Sequence, residues 1–412
     1  MANRYRLTPT PEQQSAMCEH CAHARFIYNL AVEQHSWWRP GRGRVPGYLE
    51  QARQLTEARA AEPWLRNGSI IVQQQALRDF DKALSAFFDP KNPTAKPSWR
   101  KAGRDEGFRI VGKQRDVRRL SRHVGEVWIP KVGRVRFRWS RAVPDDVKSY
   151  RVTRDRVGRW HISFAAPQPA LDRQPTGAVI GIDRGVRTAL VTSDGQHYRA
   201  PRISDRRATR YLALQQRMSR QQKRSRKREK TKWAMARIAA GVTDRRRDWA
   251  EKVSTRLVVD HDLIVFEKLN TKGMTRKPAP KPDPDQPGSF LPNGARAKAG
   301  LNRGILASCW GLLATRTERK AAASSVAVVY VNPKHSSQQC RVCGHIAAES
   351  RKSQAVFLCV QCGHGDHADA NAARNVLARG LASAGLRAGP GARGVCPRQP
   401  AQAAAGTIRS AA

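Results

Sequence analysis

The chain has 412 residues, with 76 Lys and Arg against 33 Asp and Glu, a net charge of +43. That length predicts two to four domains rather than one core, and 40% hydrophobic residues suffice to fold them. No run of 18 apolar residues occurs and MANRYRLTPTPEQQ lacks a signal-peptide core, which excludes membrane-spanning and secreted classes and predicts a cytoplasmic protein.

Basic residues run through every segment, so a long nucleic-acid track is expected rather than a small patch. Residues 11–35 predict a helix. Thr10 or the Thr-Pro pair before it can start it, and Met17, Cys21, Ala24, Ile27 and Ala31 recur at helical spacing. Cys18 and Cys21 form a C-x2-C pair near His20 and His23, but they lie in that apolar stripe and read as buried thiols. Residues 40–48, rich in Gly, Pro and Arg, form a loop. Residues 69–88 predict a second helix, capped by Ser69 and stopped by Pro90, with Val72, Ala76, Phe80, Ala83 and Phe87 on one stripe. These elements suggest a small helical domain over residues 11–95. Trp37, Trp38 and Trp99 lie in basic surroundings and could either stack on unpaired RNA bases or pack in a core.

The period then changes to two. Val135, Phe137 and Trp139 alternate with Arg134, Arg136 and Arg138, and Trp160, Ile162 and Phe164 alternate after a turn at Gly158. Residues 105–166 therefore read as a basic β-barrel or half-barrel whose arginine face is either solvated or, as the global charge favours, in contact with phosphates. PQPALDRQPT, residues 167–176, is a linker. In AVIGIDRGVRTALVTSDG, Ala178–Ile182 is a buried strand that ends in Asp183. A turn at Arg184–Gly185, a strand Thr188–Thr192 and a turn at Asp194–Gly195 follow.

One helix from about Asp205 to Lys232 carries RMSRQQKRSRKREKTK and could lie along a nucleic-acid duplex. Leu263–Phe266 is an apolar strand ending in Glu267, a charge that is costly there unless paired or bound to metal. Residues 274–300 read as a long irregular loop. Cys340, Cys343, Cys359 and Cys362 fit C-x2-C…C-x2-C, with Gly344 and Gly363 permitting the knuckle turns; four thiolates close a tetrahedron around a structural zinc. Cys309 and Cys396 stand alone. In DHADANAARNVLARG, Ala370–Ala378 is a helix ended by Gly380, and Asp369 is either its N-cap or a ligand. From residue 385 the chain is Ala/Gly/Arg/Pro-rich and reads as disordered. Three carboxylates, Asp183, Glu267 and Asp369, held close would repel unless two divalent cations neutralised them. Hard oxygen ligands favour Mg2+ or Mn2+ over zinc, and two Mg2+ ions would activate water and stabilise the leaving oxygen in phosphodiester hydrolysis.

These motifs resemble those of the TnpB (OrfB) proteins of insertion sequences, relatives of the type V CRISPR nucleases. GIDRG, FEKLN and DANAARNVL are similar to the family's three RuvC motifs. NPKHSSQQCRVCG at Asn332–Gly344 looks like the start of its zinc ribbon, and GLNRGILASCWGLL at Gly300–Leu313 like the helix before it. PTAKPSWRK at Pro93–Lys101 and the opening RLTPTPEQ also match, and the likeness is most specific over residues 178–378. The resemblance implies an α/β multidomain protein. A wedge-like barrel would take residues 1–10 and 96–170, and a helical recognition domain residues 11–95. An RNase H-like (RuvC) nuclease domain would take 177–333, with an inserted zinc ribbon at 334–366, its third-motif helix at 367–384 and a tail at 385–412.

The resemblance carries over Asp183, Glu267 and Asp369 as catalytic Mg2+ ligands and Cys340, Cys343, Cys359 and Cys362 as zinc ligands. It implies an RNA-guided DNA endonuclease, a monomer with a guide RNA from its own element's end, acting on double-stranded DNA beside a short motif. Alternatives are a DNA-strand transferase, since RNase H folds with three acids also join strands, a guided DNA binder without catalysis, and a sequence-specific DNA binder independent of RNA. Two departures stand out: His367 occupies a position where the family often has Asp, and the first motif reads IDRG rather than IDLG or IDVG.

Overall fold

Thr10 starts the first helix through a reciprocal capping box. Its hydroxyl accepts from the Gln13 amide, and its own amide donates to the Gln13 side chain. The computed structural model describes residues 4–385 apart from 40, 42–44, 92–93, 113, 146, 168 and 287. The tail expected to be disordered, with Cys396, lies outside the described residues beyond Gly385. The chain divides into two units. One is Met1–Pro167 with Tyr211–Ile238, and the other is Gln168–Arg210 with Ala239–Ala412.

In the first unit, strand β1 (Arg4–Arg6) leads into α1 (Pro11–Ser36), followed by α2 (Tyr48–Ala61), α3 (Pro63–Asn67) and α4 (Ile70–Phe88). α1 buries Met17, Cys21, Ala24, Ile27 and Ala31, as its period predicts, in one core with Val72, Ala76 and Phe80 of α4. The α4 stripe is shorter than expected, because Phe87 is exposed, and Ser69 makes no side-chain cap bond. Of the two thiols read as buried, Cys21 is buried, and burial pushes it up, whereas Cys18 is only half-buried and accepts from Arg154. Helices α2 and α3 give little apolar signal: α2 buries only Gln51 and Leu55, and α3 only Leu65.

Strands β2 (Gly107–Val111), β3 (Val117–Arg119), β4 (Val124–Ile129), β5 (Gly133–Arg138), β6 (Ser149–Arg154) and β7 (Trp160–Ala165) complete two antiparallel sheets, ordered β1-β7-β6-β2 and β3-β4-β5. Leu7 bridges to Phe137 and so links them. Val135 and Phe137 point inward while Arg136 and Arg138 face solvent. Tyr5, Phe137 and Phe164 meet edge to face with centroids 5.4–5.9 Å apart.

The rest of the chain contains β8 (Val179–Asp183), β9 (Leu190–Thr192), β10 (His197–Tyr198), α5 (Asp205–Ser219), α6 (Arg226–Asp260), β11 (Leu263–Glu267), α7 (Thr271–Met274), β12 (Lys281–Pro282), β13 (Phe290–Leu291), α8 (Ala295–Ala307), α9 (Trp310–Ala323), β14 (Ala327–Val331), β15 (Val356–Leu358), β16 (Gly365–His367) and α10 (Ala368–Ser383). Three expectations change. The basic helix is two helices, broken at residues 220–225, where Arg224 adopts φ +68. The segment 274–300 is not all irregular, since β12 and β13 pair and α8 begins at Ala295. The motif Gly300–Leu313 is also two helices, parted where Cys309 takes φ +61.

The second unit is built on the sheet β10-β9-β8-β11-β14. β10, β9 and β8 run antiparallel, and β8, β11 and β14 run parallel. This mixed sheet agrees with the RNase H-like expectation. Alternation along β11 decides its two faces. Ile264 and Phe266 join Ala250, Val253 and Leu257 of α6 and Leu313 and Ala321 of α9, whereas Leu263 and Val265 join Val376 and Leu381 of α10. Each buried Val, Leu, Ile or Phe among them contributes roughly 1.5–3 kcal/mol, and the alanines less.

α10 lies flush on β8 because Gly181 has no side chain: a Cβ there would stand 2.4 Å from the Ala373 carbonyl oxygen and 2.6 Å from the Leu377 amide. Gly241, within α6, meets only Arg207 Nη1, at 3.7 Å. Gly181→Ala is therefore expected to destabilise the second unit by about 1–3 kcal/mol. Gly241→Ala should be neutral or stabilising by up to about 1 kcal/mol. Urea unfolding of both variants checks the contrast, and equal midpoints would refute the contact.

Candidate active site and metal centre

Asp183 closes β8 and Glu267 closes β11, two parallel neighbours in which Ile182 pairs with Phe266. Both acids therefore lie at the same end of the sheet. Side chains alternate across a strand, so Asp183 shares the face of Gly181 and Glu267 that of Val265. Both are faces on which α10 packs, since Gly181 lies under Ala373 and Leu377 and Gly380 under Val265. Asp369 is four residues before Ala373, one turn toward the N-terminus on the same side of α10. The three acids, separate in sequence, are brought to one end of β8, β11 and α10.

Their charges interact. Burial, then Glu267 and Asp369, raise the Asp183 carboxyl well above the usual carboxylate range. Burial also raises Glu267, against the pull of a Ser336 hydrogen bond and the Arg184 guanidinium. Acids crowded in this way repel one another when ionised, and a cation between them would relieve that repulsion. The carboxylate oxygens are not gathered as tightly as the cysteine sulfurs. Among the described residues, the four cysteines alone form a set of three or more His, Cys, Asp or Glu ligands within 4.8 Å of one another. A site bridging two ions about 3.5–4 Å apart is wider than one wrapped around a single ion.

Neighbours that sequence reasoning missed hold the acids in place. Ser336 Oγ donates to Glu267 Oε1 at 2.9 Å, and Asn375 of α10 donates to the Ser336 carbonyl at 2.9 Å. Asn371 and Asn375 both donate to the Gln339 carbonyl. The polar stripe of α10 thus anchors the segment that steadies Glu267. Arg184 donates to the Glu267 carbonyl and lies over the Phe266 ring. Arg351 donates to Asp369 Oδ1 at 2.9 Å. Trp310 Nε1 donates to the Ala189 and Gly185 carbonyls, which pins the turn after Asp183. The only sequence signal for these residues was their place inside or beside the motifs.

The capping alternative for Asp369 is removed, because His367 occupies the N-cap and Asp369 lies in the first turn. Gly380 does not end the helix, which continues to Ser383; the glycine instead admits Val265. Trp37, Trp38 and Trp99 are 60%, 52% and 55% exposed, so none of them is a core residue.

The cysteine knuckles repeat each other. Gly344 N–H donates to the Cys340 carbonyl and Gly363 N–H to that of Cys359, both at 3.0 Å, and both glycines have positive φ. Cys340 and Cys359 amides donate to the His345 and His364 carbonyls. Cys340 and Cys362 sulfurs are 3.7 Å apart, and Cys343 and Cys359 sulfurs 3.6 Å. Thiolates about 2.3 Å from a tetrahedral zinc would be separated by nearly this spacing. The backbone N–H groups of Cys362 and Gln361 hold the Cys359 thiol down to about 6. The local core is only Cys340, Phe357, Cys359 and Ala368. Two of those are cysteines of the cluster itself, so little purely apolar burial holds this segment. The four cysteines fit a zinc ion that closes all its coordination positions.

Family models match three segments. One described as "Probable transposase" covers residues 150–277, one described as "Helix-turn-helix domain" covers 1–43, and one described as "Cas12f1-like, TNB domain" covers 310–376. Residues 4–39 of the second span form β1 and the one helix α1. The chain is 31% identical over 385 residues to "Putative RNA-guided DNA endonuclease InsQ" of Escherichia coli (strain K12), covering 92% of each chain. It is 30% identical to "Putative RNA-guided DNA endonuclease" of Streptomyces pristinaespiralis, covering 93% of this chain and 90% of that one. A solved Cas12f1–sgRNA–target DNA complex aligns with TM-score 0.47 and 13% identity, over 88% of this chain and 82% of that chain.

Cys340→Ser is expected to lose the bound zinc and to unfold the segment around β15 and β16, with the β8–β11–β14 sheet intact. Metal analysis and hydrogen exchange over residues 334–366 measure this. A variant that keeps both its zinc and its exchange protection would contradict the four-thiolate site.

Proposed function

The chain belongs to the TnpB (OrfB) family of insertion-sequence proteins, and on that footing we propose that it is an RNA-guided DNA endonuclease encoded by a mobile element. Its partners are a guide RNA and double-stranded target DNA. The observation that carries this reading is similarity along nearly the whole length to proteins named for that activity. The charge of +43 suits it, since a guide–target duplex is gripped by its backbone while base pairing reads the sequence. We place the protein with the DNA of the bacterial cell. No helix among the described residues is long and apolar enough to cross a membrane.

We assign Asp183, Glu267 and Asp369 to hold two Mg2+ ions, and Cys340, Cys343, Cys359 and Cys362 to hold zinc. The support for the first set is its convergence at the ends of β8, β11 and α10, with burial and mutual repulsion raising Asp183. Hard carboxylate oxygens suit Mg2+. Such ions, when bound, supply an activated water and stabilise the leaving oxygen of the phosphodiester. The chain itself contributes placement. Two strand ends fix Asp183 and Glu267, Ser336 orients Glu267, and Arg351 holds Asp369 at the rim. The four thiolates leave zinc no open position, so that site organises the fold. A strand transferase could use the same acids, but the names carried by the full-length relatives favour cutting over joining.

Asp183→Ala should reduce target cleavage to background while guide-RNA and target-DNA affinities stay within about threefold of wild type. Loss of binding along with cleavage would show that Asp183 has a structural role instead. The RNA partner is identified by purifying the protein expressed with its genomic flanks and sequencing whatever RNA it carries; a preparation free of bound RNA would overturn the guided mechanism.

A further inference from the structure

α6 begins just after the break in the basic segment, and its first turns carry one large aromatic among cations. Trp233 is 50% exposed. It lines a recess of about 530 Å³ with Arg224, Arg226, Glu229, Lys230 and Arg237, within the size range of ligand pockets, about 300–1,000 Å³. Glu229 is taken by Lys232, at 2.5 Å. Arg224, Arg226, Lys230 and Arg237 consequently have no carboxylate partner among the described residues. Arg224 holds the left-handed conformation, φ +68, that turns the chain into α6. The ring is supported on one side: a Cβ on Gly158 would lie 3.3 Å from Trp233 Cζ2, and Gly158 itself has φ +76.

The half-exposed indole, backed on one side and ringed by cations, presents an open π-face beside concentrated positive charge. The same arrangement stacks a nucleobase on its π-face and places cations for the flanking phosphates. We propose that the Trp233 recess binds an unpaired nucleotide of the guide RNA, through base stacking on the indole and phosphate contacts to Arg224, Arg226, Lys230 and Arg237. The source is RNA rather than target DNA because the target is a duplex until opened, and its bases are not available to stack. Unpaired RNA bases are splayed out and gripped by aromatic faces in this way. The site rests on the RNA-guided reading above and adds to it a specific point of attachment outside the metal centres.

The test uses full-length protein and the RNA that co-purifies with wild type, transcribed in vitro and titrated in a binding assay. Trp233→Ala should weaken RNA binding about 5- to 150-fold, the worth of one stacked base, while Trp233→Phe stays within about threefold. Melting temperatures of both variants are measured in parallel. Equal RNA affinity for wild type and Trp233→Ala overturns the site while leaving the RNA-guided reading intact. A loss shared by the Phe and Ala variants, together with lowered melting, also overturns it, because the ring would then be packing support. Unchanged RNA affinity with weakened target-DNA binding by the RNA-loaded variant assigns the recess to an opened DNA strand and overturns the RNA source. Wild-type protein that carries no RNA refutes the guided reading itself, and so is a distinct result.

Discussion

The close approach of α10 to β8, permitted by the missing side chain at Gly181, is the constraint on which the second unit depends. It brings the Ala373 carbonyl and the Leu377 amide against the strand backbone. A helix held further out would bury less of Val376 and Leu381 and would carry Asp369 away from the sheet. Gly380 repeats the device one strand over, where it admits Val265. Two glycines thereby set the distance between a helix and a sheet, and with it the spacing of acids that belong to different elements. Packing of this kind tolerates little change, because interiors are close-packed and overpacking forces shifts.

The electrostatics of the site run against folding and toward ligand binding. Asp183 and Glu267 end apolar strands, and burial makes both harder to ionise, with Glu267 and Asp369 adding repulsion at Asp183. A chain that wanted only stability would replace them. The protein offsets part of the cost with local partners, Ser336 for Glu267 and Arg351 for Asp369. A divalent cation, as proposed, would remove the rest by converting mutual repulsion into shared attraction. The zinc segment solves the opposite problem. It has almost no core, and its four gathered sulfurs fit a zinc ion that would supply the cohesion side-chain burial supplies elsewhere. One region of chain thus favours two chemically different metal environments, hard oxygens at the sheet end and sulfurs in the knuckles.

The rest of the surface is organised by charge. On β5 the arginines face outward while Val135 and Phe137 fill the core. α5 buries none of its residues. Such elements gain little from packing, and their net positive charge opposes the compact state until a polyanion neutralises it.

The sequence alone determined the parts whose signal is local. The apolar runs ending in Asp183 and Glu267, the alternation in β5 and β7, the period of α1, and the paired cysteines with their glycines are each legible within about fifteen residues, because hydrophobic period and ligand spacing are properties of neighbours. Only the tertiary structure decided what distant segments do to one another. Asp369 read equally as a helix cap until its place in the first turn of α10, and its pairing with Arg351, removed that role. Gly380 read as a stop signal, yet it is a packing site, since only the strand beneath shows why a side chain is unwelcome. The basic segment read as one helix because charge carries no period that marks a break, and Arg224 supplies that break through its backbone. Ser336 and Trp233 were marked by no more than their place inside or beside a motif: a hydroxyl near an acid and a tryptophan ringed by cations are defined by distances in space, which a linear pattern does not hold.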